Sequence, residues 1–270
     1  MLVRGDSHLI DSKPVPLRIA KRLILGRWLP RFNRYLTVGK LNEDYYEFYG
    51  ADPKKFFPVR HFVDNERFAT QAEVGATRRL ELRSRWGIGK EAVVFLFAGK
   101  FIEKKRPMDA ILAIEVLHAQ GLPVHLLMVG DGKLRPGCEQ YSREKKLPIS
   151  FTGFLNQGEI AEAYVSSDVL VLPSAYSETW GLVVNEAMSC ALPAIVSDRV
   201  GCGPDLVRPG TTGAVFPVAD VAAIAKEMRP YAEDVSLAKE HGAHARKHVQ
   251  SYSAIAAADN TIAALLSLND

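Results

Sequence analysis

The sequence predicts an α/β fold, a Rossmann-like parallel sheet with helices on both faces. Two observations carry this. From residue 92 onward, short β-branched runs alternate with longer helix-like ones, the signature of β-α-β units. Most of the short runs are also near-continuously apolar, as strands covered on both faces are. Right-handed crossovers make such a sheet doubly wound.

The N-terminal segment MLVRGDSHLIDSK is charged where a signal peptide needs an apolar run. From Lys13 to Lys40 there are eight Lys or Arg and no Asp or Glu. Within that run, PLRIAKRLILGRWLPRF spaces Leu, Ile and Trp among cations and predicts a basic helix. It suits an anionic membrane surface; alternatively it packs on another domain and shows its charges to water. RYLTVG (34–39) looks like one more strand, and LNEDYYEFYG (41–50) like a short helix closed by Gly50. FFPVRHFVDNERF (56–68) predicts a strand and turn, and 70–87 a single helix with a basic outer face, ending at Gly87.

The strands of the main sheet follow: AVVFLFAG (92–99), VHLLMVG (124–130), ISFTGF (149–154), VLVLPS (169–174), PAIVSD (193–198) and GAVFPV (213–218). The tail from Val235 predicts two helices. In it, His241, His244 and His248 share roughly one helical face, read as solvated rather than metal-binding.

Composition narrows the class. With 47% hydrophobic and 24% charged residues, the chain is an ordinary globular one. A net charge of +3 is too small to imply nucleic acid. Cys138, Cys190 and Cys202 are far apart and odd in number, which suggests a reducing, cytoplasmic compartment. The longest apolar run, 92–98, is too short to span a bilayer.

Ligands of open parallel sheets bind beyond the carboxyl ends of the strands, and four loops there carry chemistry. In GKFIEKKRP, Gly99 ends a strand, and Lys100 and Lys105, with Lys104 and Arg106, suit a diphosphate. In VGDGKLR, Gly130 and Gly132 permit close backbone approach, but the full dinucleotide fingerprint is missing, against an NAD-dependent oxidoreductase. In SETWG, Gly181 opens a helix whose N-terminus can hold phosphate. Glu186, inside that helix, is placed to accept from a ribose, and Glu178, before it, from a second sugar. In SDRVGCGPDLVRPG, Cys202 reads as a small residue in a tight loop rather than a reactive thiol.

Taken together, Gly-Lys…Lys, Val-Gly-Asp-Gly, Phe-x-Gly, Ser-Glu-x-Trp-Gly-Leu-x-x-x-Glu-Ala-Met and Leu-Pro-x-Ile resemble, in order and spacing, the donor-binding half of glycosyltransferase family 4. These are retaining enzymes of the GT-B fold, and the resemblance covers about residues 35–230. It implies a hexosyltransferase using a nucleotide sugar, UDP-linked by family frequency, and a glycan or lipid-linked acceptor in polysaccharide biosynthesis. Lys100 and Lys105 would hold the diphosphate and Glu178 the transferred sugar, as the catalytic set. The backbone of Trp180, Gly181 and Leu182 would meet sugar and phosphate. Glu186 would bind the ribose, Gly99 and Gly130 would lie against the donor, and Gly153 near the base. No metal or cofactor is implied.

Two departures stand out: Lys100 where many members have Arg, and Arg106 where many have Gly. The larger difference is length, since the family's first domain binds the acceptor and only about 35 residues precede RYLTVG. The expected division is 1–36 as a remnant of that domain and linker, 37–250 as the donor domain, and 251–270 as a helix packing toward the acceptor domain. The alternative reading is a non-catalytic nucleotide-sugar-binding subunit, or a truncated remnant, that needs a partner chain supplying the acceptor domain; the apolar face of the tail helix is separately expected to drive self-association. Contact of the basic helix with the inner face of the membrane stands beside packing on another domain as its second reading.

Overall fold

A computed structural model describes residues 1–10 and 15–268. Lys13 and Pro14 of the basic run, and the end of the 251–270 segment, lie outside the described residues.

Two sheets are present, both parallel. The small one has the order β1-β2-β3, with β1 at Leu2–Arg4, β2 at Arg34–Thr37 and β3 at Phe56–Pro58. Helix α1 (Val15–Trp28) connects β1 to β2, and α2 (Lys40–Phe48) connects β2 to β3. Aromatic rings fill its core: Tyr35 packs 5.3 Å from Tyr46 and 5.5 Å from Phe56, centroid to centroid. RYLTVG thus forms a strand, but one of the small sheet. The boundary drawn at residue 36 runs through β2.

Two helices follow, α3 (Asn65–Ala76) and α4 (Arg79–Arg85), where a single helix over 70–87 is expected. Asp64 starts α3 early because its carboxylate accepts from the Arg67 amide at 2.9 Å, an N-cap. The basic face expected to meet water also turns inward. Arg83 is buried and donates to Asp168 at 2.7 Å, with Arg79 donating to the other oxygen at 2.6 Å. Asp168 also accepts from the Val94 amide at 2.8 Å. This network fastens α4 to the large sheet.

The large sheet has the order β6-β5-β4-β7-β8-β9. Its elements alternate as expected: β4 (Val93–Ala98), α5 (Pro107–Ala119), β5 (Val124–Val129), α6 (Arg135–Glu144), β6 (Ile149–Gly153), α7 (Ile160–Ser166), β7 (Val169–Leu172), α8 (Leu182–Ser189), β8 (Ala194–Ser197), α9 (Gly203–Leu206) and β9 (Gly213–Phe216). Helices α10 (Val221–Glu233), α11 (Val235–Val249) and α12 (Ala254–Leu266) complete the chain. Along β4, Val94 and Leu96 join a core with α3, α7 and α8, while Val93, Phe95 and Phe97 join another with α5 and α10. That is why the strands read as continuous apolar runs.

Helix α12 returns to the small sheet, where Arg34 donates to Ser267 Oγ at 2.7 Å. Its Ile255, Ile262 and Leu266 are exposed. The strand order reverses between β4 and β7, the neighbours at the middle of the sheet. A crevice is expected beyond the carboxyl ends of those two strands.

Candidate active site at the switch between β4 and β7

A cleft of about 520 Å³ opens there. Gly99, Lys100, Lys105, Glu178, Gly181 and Leu182 all line it. They come from the loop after β4, the loop after β7 and the start of α8.

Lys105 and Glu178 form an ion pair across the two loops. Glu178 is almost buried and also accepts from Ser174 Oγ at 3.0 Å. Ser174, at the end of the β7 run, is a site residue that sequence reasoning missed; only its place in VLVLPS pointed to it. The same two loops are joined twice more: the Ala175 amide donates to the Lys104 carbonyl at 2.7 Å, and Lys104 Nζ to the Ser177 carbonyl at 2.9 Å. Lys100 is exposed at the mouth and makes no ion pair among the described residues. Arg106, at a position with left-handed backbone (φ 49°), turns its guanidinium onto Asp109 and away from this set.

The loop carrying Glu178 is held from behind as well. The Gly201 amide donates to the Glu178 carbonyl at 2.8 Å and the Cys202 amide to the Trp180 carbonyl at 2.9 Å. A Cβ on Gly201 would sit 2.0 Å from the Thr179 carbonyl oxygen, so only glycine permits this approach. Cys202 itself is fully buried, and burial pushes its thiol well above the usual range, which agrees with a packing role.

Gly181 caps α8 with left-handed backbone (φ 102°) and no side chain over the first turn. The first turn has no acidic residue. The positive end of the helix dipole therefore faces the cleft that Glu178 also lines. Trp180 lies differently. Its side chain is buried, donates to Asn185 Oδ1 at 2.8 Å and packs against Gly39 and the His61 ring. The Asp205 carboxylate reinforces that junction, accepting from the Lys40 amide at 2.9 Å and pairing with Arg60 at 3.3 Å.

Glu186 is not among the residues around the cleft. It sits one turn into α8, half-buried, and accepts from Tyr164 Oη at 2.6 Å. Burial raises its pKa, while the Tyr164 hydroxyl and the nearby Arg67 guanidinium oppose the rise. Tyr164, the second residue missed from sequence, is buried in α7 and reads there as core.

Gly130 and Gly153 stand behind the cleft at the ends of β5 and β6. The Gly130 amide donates to the Gly153 carbonyl at 2.8 Å. A Cβ on Gly130 would lie 2.0 Å from the Gly99 carbonyl oxygen. Elsewhere, His241 is within 2.9 Å of Tyr231 Oη and His248 within 2.8 Å of the Asp205 carbonyl, so these histidines are held in packing contacts. Among the described residues, no helix is long and apolar enough to cross a membrane.

Comparison with known proteins bears on this geometry. Residues 78–248 match the family model for glycosyl transferases group 1. The D-inositol 3-phosphate glycosyltransferase of Streptomyces bingchenggensis is 32% identical over 215 residues, covering 76% of this chain and 46% of that protein. The N-acetyl-alpha-D-glucosaminyl L-malate synthase of Bacillus anthracis is 31% identical, covering 63% and 44% respectively. The chain thus spans about half the length of the curated relatives it matches. Among solved structures, HepE from Anabaena in complex with UDP and glucose superposes with a TM-score of 0.73 at 17% identity, over 98% of this chain and 71% of that one. A glycosyltransferase from Rickettsia africae gives 0.76 at 15%, over 100% and 71%. At those identities the likeness is one of fold, and that fold is GT-B.

Proposed function

The chain belongs to the glycosyl transferases group 1 family, and on that premise we propose that it holds the nucleotide-sugar donor of a retaining hexosyltransferase. The donor is UDP-linked, and the acceptor is a glycan or lipid-linked sugar. One observation carries the reading: three lysines, a buried carboxylate and a helix N-terminus without a side-chain cap converge at the strand-order switch.

Each group then has a task. Lys100, Lys105 and the start of α8 neutralise the diphosphate as it leaves, and such preorganised charge is often the largest contribution to catalysis. No metal is required in this reading. Glu178 accepts from hydroxyls of the transferred hexose and Glu186 from the ribose. Gly99 and Gly130 let the donor approach the backbone, and Gly153 lies toward the base. The bond from the anomeric carbon to the diphosphate oxygen breaks, the acceptor hydroxyl attacks on the same face, and its proton passes to the leaving oxygen. UDP and glucose bound to HepE, and the glycosyl transfer named in the relatives, support the donor class. A cytoplasmic setting agrees with three buried, unpaired cysteines.

Saturation-transfer NMR with UDP-glucose, UDP-N-acetylglucosamine and GDP-mannose, in EDTA, tests this. Contact with base, ribose and hexose protons of a UDP-sugar is expected. Contact with none of the three donors would overturn the reading.

A further inference from the structure

Helix α1 is turned the opposite way from a helix at a protein surface. Val15, Ile19 and Leu23 form an i, i+4, i+8 stripe, and each is more than half exposed, as are Ile24 and Trp28. No residue of α1 is fully buried. The opposite stripe meets the body of the protein. There Lys21 lies with its ammonium 5.1 Å from the Tyr45 ring centroid, and Leu25 packs on the aromatic core of the small sheet. The Arg22 guanidinium sits 5.0 Å from the Phe48 ring centroid. Lys21 and Arg22 therefore face the protein through aromatic rings, while the Val15, Ile19 and Leu23 side chains point away from it.

Something must cover that stripe, since exposed apolar patches of this kind mark contact sites. Charge identifies the occupant. On the helical period Arg18 lies at one edge of the stripe and Arg27 at the other; both are exposed, as is Arg31 beyond the helix. No Asp or Glu occurs from residue 15 to residue 42. An apolar stripe edged by cations matches a bilayer interface: the aliphatic chains enter the acyl boundary and the cations stay among anionic headgroups. At 14 residues the helix is far too short to cross. We propose that the outward face of α1 docks this protein in the plane of an anionic lipid bilayer. This inference is independent of the donor-site reading.

The test is sedimentation of the full chain with vesicles of phosphatidylcholine alone, and with vesicles of about one-third phosphatidylglycerol. Partitioning onto the anionic vesicles is expected to be at least about tenfold tighter, and to weaken as salt screens the headgroups. Leu23→Glu combined with Ile24→Glu should lower it at least about tenfold, because charge is costly in the acyl region. Neither side chain is buried, so the variant's thermal midpoint should equal that of the wild type. Replacing Arg18, Arg27 and Arg31 by Gln should remove the preference for anionic lipid. Equal partitioning on both vesicles, or wild-type binding by the Leu23/Ile24 variant, would overturn the proposal. So would a wild-type dimer in light scattering that this variant makes monomeric without any vesicle binding, since a second copy would then be the occupant.

Discussion

Lys105 donates to the Glu178 carboxylate across the strand-order switch, joining the loop after β4 to the loop after β7. In the proposed donor complex the same ammonium must face the diphosphate. The two roles compete for one cation. Glu178→Gln should release Lys105, so UDP affinity should stay level or rise by about two- to fivefold. Sugar transfer should fall at least about a hundredfold, because the hexose loses a charged acceptor. Titration of UDP and turnover measured on the same variant separate the two effects. A tenfold loss of UDP affinity would show that Glu178 holds the nucleotide instead.

Glu186 carries its own pH dependence. Burial raises its pKa above the ordinary carboxyl value, with Tyr164 and Arg67 opposing. A carboxyl with a raised folded pKa binds its proton more tightly when folded, so stability falls as pH rises from the unfolded value through the folded one. At neutral pH the ionised group therefore costs stability. Glu186→Gln should raise the thermal midpoint at pH 7.5 and lose the preference for UDP over 2′-deoxy-UDP. In the wild type that preference should fade as pH drops through the raised pKa. Tyr164→Phe removes an opposing hydrogen bond and should move the fading to higher pH. A preference that stays flat in both proteins as pH is lowered from 8 into the ordinary carboxyl range would contradict the ribose assignment.

Glycine tolerance should differ sharply across the β4–β5 junction. Gly130 has φ 126° and its Cβ would lie 2.0 Å from a carbonyl oxygen. Gly130→Ala should cost about 2–4 kcal/mol, since neither backbone nor conformation can yield. The Cβ of Gly99→Ala would meet nothing nearer than 3.8 Å, at Lys105 Cδ. That variant should unfold in urea like the wild type while binding UDP more weakly, as its methyl group enters the cleft. Equal stabilities for the two variants would refute this.

The Asp168 network is structural and should behave so. Asp168→Ala leaves Arg83 buried without its counter-ion, at a cost of about 3–5 kcal/mol. UDP affinity of the folded protein should be unchanged. Urea unfolding and titration at low temperature check both parts.

Much of this was legible in the sequence, for physical reasons. Strands covered on both faces must be apolar throughout, so β4, β5, β7 and β8 could be read directly. The cleft loops were legible because glycine and cations stand at the strand ends. What escaped depends on partners distant in sequence. Arg79 and Arg83 look like a solvated face until Asp168, more than eighty residues away, turns them inward. The place of β2 was hidden because β1 and β3 have three residues each, too few to show a period. Tyr164 reads as an apolar core position, and only the fold, which packs α7 and α8 against α3, aims its hydroxyl at Glu186. The Trp180 side chain was similarly hidden: it fills the space left by Gly39, which the sequence does not link to it.

The most direct test of the central claim is calorimetric titration of UDP, in EDTA, into the wild type and Lys105→Ala. If the cleft between β4 and β7 is the donor site, the wild type binds one equivalent. The variant should then bind about ten- to a hundredfold more weakly, as expected for one lost charge-assisted contact to phosphate. Equal binding by both proteins would place the nucleotide elsewhere, and no binding by the wild type would contradict a donor site formed by this chain.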